Sequence, residues 1–193
     1  MIFKKEVLET ALRASGVKVS EAFAMLAKGE VKVTSAEVVV EDKDALLEKI
    51  LSREASSVIA YSQLMSDING LALLMLTRED ALTLVDILNQ REVGTTGVLM
   101  EIDRSAIKET LNILSNTQLT ALSKMADENL GLGVPYMMPL NNLKLVLSKI
   151  KEAQKIPGDD SVIFSTTLSI AGHDISADLF LVFNKEAVEA ATN

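Results

Sequence analysis

The sequence predicts an α+β fold with two pseudo-symmetric halves, in which long helices pack on a largely antiparallel sheet. Three observations lead there. The same succession of helix, strand, short helix, hairpin and helix occurs twice along the chain. The strand candidates meet through short turns, so parallel crossovers are not demanded and antiparallel pairing is expected. The chain has 193 residues, 48% of them hydrophobic. That is enough to bury one sizeable core.

Taken in order, residues 2–28 place Leu8, Leu12, Val19, Ala22, Met25 and Leu26 on one helical face. Ser15-Gly16 is a candidate break, and Gly29 is a natural stop. Residues 31–41 are rich in β-branched side chains and read as a strand. Residues 42–51 read as a short amphipathic helix. Residues 57–65 and 71–77 read as two strands, joined by a segment with Asn69-Gly70 turn chemistry into a hairpin. A helix is expected over 78–89 and a loop over 90–100. The second round has a long helix at 101–130, a strand near 136–138 and a short helix at 142–154. Strands at 162–170 and 176–183 follow, then a terminal helix at 185–191. Gly172-His173-Asp174 occupies the last turn, where His173 reads as an exposed turn residue. Met100, Met125, Met137 and Met138 read as core filler.

The repeat is visible in the residues themselves. The segment 56–65, SSVIAYSQLM, matches 160–169, DSVIFSTTLS. Ile68-Asn69-Gly70-Leu71 matches Ile175-Ser176-Ala177-Asp178, and REDAL from Arg78 matches NKEAV from Asn184. The offset is 100 in the long helices and grows to 106 at the last helices, so insertions between the halves are small. The halves divide at approximately 1–99 and 100–193. Either alone would leave a sheet edge and an apolar face uncovered, so residues 1–193 are read as one domain.

Composition narrows the function classes. Cysteine is absent, which removes disulfides and thiolate metal sites and fits a reducing, cytoplasmic compartment. A single histidine, His173, cannot form a zinc cluster. The net charge of −8 argues against nucleic acid and anionic membranes as partners. The longest wholly apolar run, Leu71 to Leu76, is far too short to span a bilayer, and the start of the chain has no signal-peptide pattern.

Within the long helix at 101–130, Ile107, Leu111, Leu114, Ala121, Leu122 and Met125 fall on one broad arc. Ser105, Glu109, Asn112 and Asn116 fall on nearly the opposite side. Ser105, Glu109 and Asn112 follow the spacing i, i+4, i+7, so they stack along roughly 10 Å of helix. In the sister helix Glu109 aligns with Glu9, Asn112 with Leu12, and Ser105 with Lys5. Farther on, Pro135 aligns with Ser35. Packing therefore does not require Glu and Asn at these places. The second half alone keeps the polar trio. Asn116 shares the polar arc and reads as surface.

These residues carry a resemblance. Ser105, three residues, Glu109, two residues, Asn112, twenty-two residues and Pro135 together resemble the signature of the CheC/CheX/FliY family of chemotaxis phosphatases, closest to CheC. The resemblance covers nearly the whole chain. One departure is Glu109-Thr110-Leu111-Asn112, where the family often has Glu-Ile-Gly-Asn. Another is the first half, where only Glu9 of a degenerate first site remains, so one active site is expected. With nothing after Asn193, a switch-assembly domain of the FliY type is not expected.

The resemblance implies a phosphatase acting on the aspartyl phosphate of a CheY-type response regulator. It implies Asn112 as the residue that positions water and Glu109 as the partner of a regulator lysine. Ser105 and Pro135 would support the site. No cofactor of the chain's own is implied, because the Mg2+ would be carried by the phosphorylated regulator. A CheD-type deamidase is a further implied partner. The alternative is a non-catalytic adaptor that binds the phosphorylated regulator or such a deamidase.

Overall fold

The computed structural model describes residues 5–42, 57–65, 70–126, 129–138 and 160–184. Among them lie three helices: α1 (Lys5–Ala27), α2 (Arg78–Leu88) and α3 (Glu101–Ala126). Six strands accompany them. These are β1 (Val31–Asp42), β2 (Ser57–Gln63), β3 (Gly70–Thr77), β4 (Tyr136–Met137), β5 (Asp160–Ile170) and β6 (Ile175–Asn184). The short helices expected over 42–51 and 142–154, the terminal helix at 185–191 and the turn at 66–69 fall outside the described residues. Asp42 is the exception, and it ends β1.

The strands form one six-stranded sheet in the order β1-β5-β6-β3-β2-β4. Every pairing is antiparallel. The order reads the same from either end once each strand is exchanged for its sequence counterpart. The first strand of each half pairs with the hairpin of the other half: β1 lies against β5, and β4 against β2. At the centre β3 pairs with β6, with Leu73 opposite Phe180. Those two residues are also counterparts in the alignment that matches 68–71 with 175–178.

Alternation along the strands explains the layers. Val58, Ala60, Ala72, Leu74, Leu76, Val162, Phe164, Leu179, Leu181 and Phe183 join Leu12, Phe23, Ile107, Leu111 and Leu114 in the main core. Phe164 and Phe183 meet edge to face there, their ring centroids 5.5 Å apart. The intervening residues, Ile59, Leu71, Leu73, Met75, Ile163, Phe180 and Val182, form a second buried cluster on the other face. Central β3 is buried on both faces, which is why it reads as a continuous apolar run.

Several local expectations change on meeting the structure. α1 runs unbroken through Ser15-Gly16, where the Ser15 hydroxyl donates to the Leu12 carbonyl at 2.9 Å. α1 stops as expected, with Lys28 at φ +50° and the Gly29 N–H bonded to the Ala24 carbonyl. α3 ends at Ala126 instead of reaching 130. Beyond it Leu130 is buried, and its N–H donates to the Ser123 hydroxyl at 3.2 Å. Gly70 begins β3 rather than shaping a turn. A Cβ there would sit 2.5 Å from the Val182 carbonyl oxygen and run into the Leu64 side chain, so the strand pairing itself requires glycine. Among the methionines, Met138 is buried and Met137 half-buried, but Met100 is exposed.

Leu74→Ala, at a fully buried position of the central strand, is expected to lower unfolding free energy by about 2–5 kcal/mol. Gly70→Ala is expected to cost about 1–3 kcal/mol through overpacking against a backbone carbonyl that cannot retreat. Urea unfolding followed by circular dichroism measures both. Equal stability of Gly70→Ala and the parent would show that the β3–β6 approach is looser than described.

Candidate functional site

α3 carries the candidate residues because its two sides are chemically different. Ile107, Leu111, Leu114, Leu119 and Leu122 are buried beneath it. Thr110, Ser115 and Gln118 are buried too, so the covered arc is wider and more polar than the apolar stripe alone suggests. On the far side Ser105 and Glu109 are exposed, and Asn112 is half-buried. The spacing of one turn between Glu109 and Asn112 sets a carboxylate and a carboxamide side by side, open to a partner.

Asn112 has a hydrogen-bond partner one turn along the helix. The Asn116 side-chain amide donates to the Asn112 carbonyl oxygen at 2.9 Å. Asn116 is half-buried and bonded, not plain surface. The i, i+4 spacing was the available signal, but spacing alone cannot separate a bonded pair from two solvated side chains.

Pro135 lies off the helix, just before β4. It lies in the segment that runs beside β2, where the Gly133 N–H donates to the Gln63 carbonyl at 2.8 Å and the Met138 N–H to Ile59 at 2.9 Å. A residue without an N–H suits such a sheet edge. No hydrogen bond ties Pro135 to Ser105, Glu109 or Asn112. The first-half counterparts sit differently: Leu12 is fully buried in the core, Glu9 is half-buried on α1, and Ser35 is exposed at an irregularity in β1.

Two buried carboxylates fix where α3 begins, and neither was singled out by sequence reasoning. Asp103, in the first turn, accepts from the Met100 N–H at 2.9 Å, the carboxylate half of a capping box. Its other oxygen accepts from Asn89 at 3.0 Å and Arg91 at 2.8 Å. Arg91 also donates to Thr96 at 2.8 Å, and Thr96 in turn donates to Asp86. Asp86 further accepts the N–H groups of Gly94 and Thr95. The loop between α2 and α3 is thereby wound around two negative charges. Burial pushes the Asp86 carboxyl upward. The bonds from Thr96, Gly94 and Thr95 outweigh it and hold the group below its ordinary value of 3.8.

Among the described residues no cluster of His, Cys, Asp and Glu could hold a metal ion. No described helix is long and apolar enough to cross a membrane. His173 is exposed in the β5–β6 turn, as its neighbours suggested.

No protein-family model matches the chain, and no curated protein matches its sequence. Solved structures do match in fold. FliY from Thermotoga maritima superposes with a TM-score of 0.73 at 16% identity, covering 99% of this chain and 96% of that one. CheX from Borrelia burgdorferi, crystallised with CheY, BeF3 and Mg2+, gives 0.59 at 12% identity, covering 90% and 98%. FliM from H. pylori, in a complex with SpeE, gives 0.67 at 10% identity, covering 100% and 95%. The chain has the fold shared by FliY, CheX and FliM.

Because the folded-state value of Asp86 lies below 3.8, its contribution to stability is complete above that range. The contribution is lost as pH falls through the folded value. Asp86→Asn is expected to lower stability at pH 7 and to flatten the acid limb of the stability profile below about pH 4. Urea midpoints from pH 7 down to pH 3 test this; an acid limb of unchanged steepness in the variant would refute it.

Proposed function

We propose that this chain is a phosphatase that hydrolyses the aspartyl phosphate of a CheY-type response regulator, at one site on the outer face of α3. The observation that carries the reading is the joint presentation of Glu109 and Asn112, one turn apart, on the open side of a helix whose other side is buried. Their place in the four-point pattern with Ser105 and Pro135 supports it. So does the fold shared with a CheX that was crystallised with CheY.

The reaction asks little of the phosphatase. A water oxygen attacks phosphorus in line as the bond from phosphorus to the aspartyl oxygen breaks. A carboxylate and inorganic phosphate leave, and the water proton passes to phosphate and solvent. Such a transition state is stabilised by positioning and by opposing charge. The regulator would supply Mg2+ and a lysine for the phosphoryl oxygens. Asn112 would hold the water through its carboxamide. Glu109 would anchor the complex through a charge-assisted bond to a regulator lysine. Ser105 would support the upstream end of the contact, and Pro135 would shape the adjoining segment.

A second reading draws on the FliM neighbour, because the same fold there appears in a complex with another protein. In that reading the chain is an adaptor that binds the phosphorylated regulator, or a CheD-type deamidase, without turnover. The absence of cysteine and the acidic balance suit a cytoplasmic partner protein better than nucleic acid or membrane in either case.

The decay of a radiolabelled phosphoryl group on a CheY-type regulator separates the two. The parent chain is expected to accelerate decay. Asn112→Ala is expected to lose on the order of 100-fold in kcat with its fold intact, the scale of removing one preorganised polar group. Glu109→Ala is expected to raise KM roughly tenfold or more, as one charge-assisted bond is lost. Saturable binding with no acceleration would favour the adaptor.

A further inference from the structure

We infer that Asn116 is a positioning residue that sets the orientation of the Asn112 carboxamide. The inference rests on the reading that Asn112 handles the attacking water. The two ends of a primary amide are nearly the same size, so packing cannot choose which end faces a partner, although one end donates and the other accepts. Asn116 is a carboxamide too and can meet Asn112 in either sense; in the structure it is the donor. The Asn116 amide lies 2.9 Å from the Asn112 oxygen, so that oxygen turns toward Asn116 and the amino group turns toward the open side. The oxygen keeps one lone pair. The edge offered to a docked regulator is then a donor. It holds the attacking water by its oxygen and leaves the other lone pair of that water for phosphorus.

A second observation comes from the sister helix. At the positions of Asn112 and Asn116, α1 carries Leu12 and Gly16, although Glu9 stands where Glu109 does. Both members of the pair differ together. Leu12 is fully buried, and Gly16 faces Val33 of β1, where a Cβ would make an ordinary 3.7 Å contact. A helix at this place in the fold therefore needs neither asparagine for packing. Where the carboxamide is absent, so is its donor.

The test uses the full chain, with a CheY-type regulator phosphorylated by a small phosphodonor as substrate. Asn116→Ala is expected to lower kcat about fivefold to tenfold, as one neutral hydrogen bond is lost, with KM unchanged within about twofold. The side-chain 15N order parameter of Asn112 is expected to fall toward the flexible range in the same variant. Asn116→Asp, which can only accept, is expected to turn the Asn112 amide round and to lower kcat further. Circular dichroism should leave both variants folded. A wild-type kcat for Asn116→Ala beside an inactive Asn112→Ala overturns this inference alone. So does a raised KM with kcat unchanged, which would place Asn116 on the regulator instead. A fully active Asn112→Ala overturns the underlying reading and is seen separately.

Discussion

The structure depends on an exchange of strands between its halves. β1 finds its neighbour in β5, and β4 finds its neighbour in β2. Neither half has a self-contained sheet among the described strands. Removing one half would strip the ladder from the first strand of the other and expose its backbone groups. The β3–β6 pairing closes the centre with Leu73 against Phe180. Once the sheet is joined this way, α1 and α3 lie together on the same face, at corresponding places in the repeat. That correspondence is what makes their differences informative.

The differences concern what each helix shows to solvent. Both helices must fill the same kind of core, and both do: Leu12 and Phe23 on one, Ile107, Leu111 and Leu114 on the other. The copies part at the residue that is Leu12 in one and Asn112 in the other. A leucine there gains burial, whereas a half-buried asparagine must find a partner or stay wet. α3 answers with Asn116 at the next turn. Its start is held by Asp103, itself gripped by Asn89 and Arg91, so the open face is set by charge-assisted bonds as well as by packing.

Periodicity made most of this fold legible. Periods near 3.6 and 2 marked the long helices and the strands, and the repeat marked the succession of elements. The strand order was not legible. The β-branched stretch of β1 would suit the edge of its own hairpin equally well, and no residue in it names β5 as the neighbour. The polar trio of α3 was legible, because only side-chain type and spacing were needed to find it. Asp86 and Asp103 were not. An acid in an amphipathic helix normally reads as solvated, and these two are buried only because the 90–100 loop folds back onto them. Met100 failed in the opposite direction: its apolar side chain stands at a helix entrance, where no layer covers it.

The same reasoning bounds what a surface helix must contribute to chemistry. If the regulator carries the metal and the leaving group, the helix supplies direction only. A carboxamide with both ends free supplies little direction, because its two orientations differ by less than the strength of one hydrogen bond to water. Fixing it with a neighbour on the same helix costs one side-chain torsion and no new backbone geometry. A lone asparagine on an exposed helix is therefore a weak device, whereas a bonded pair at i, i+4 is a directed one. On α3 the neighbour that would supply that direction stands on the helix itself.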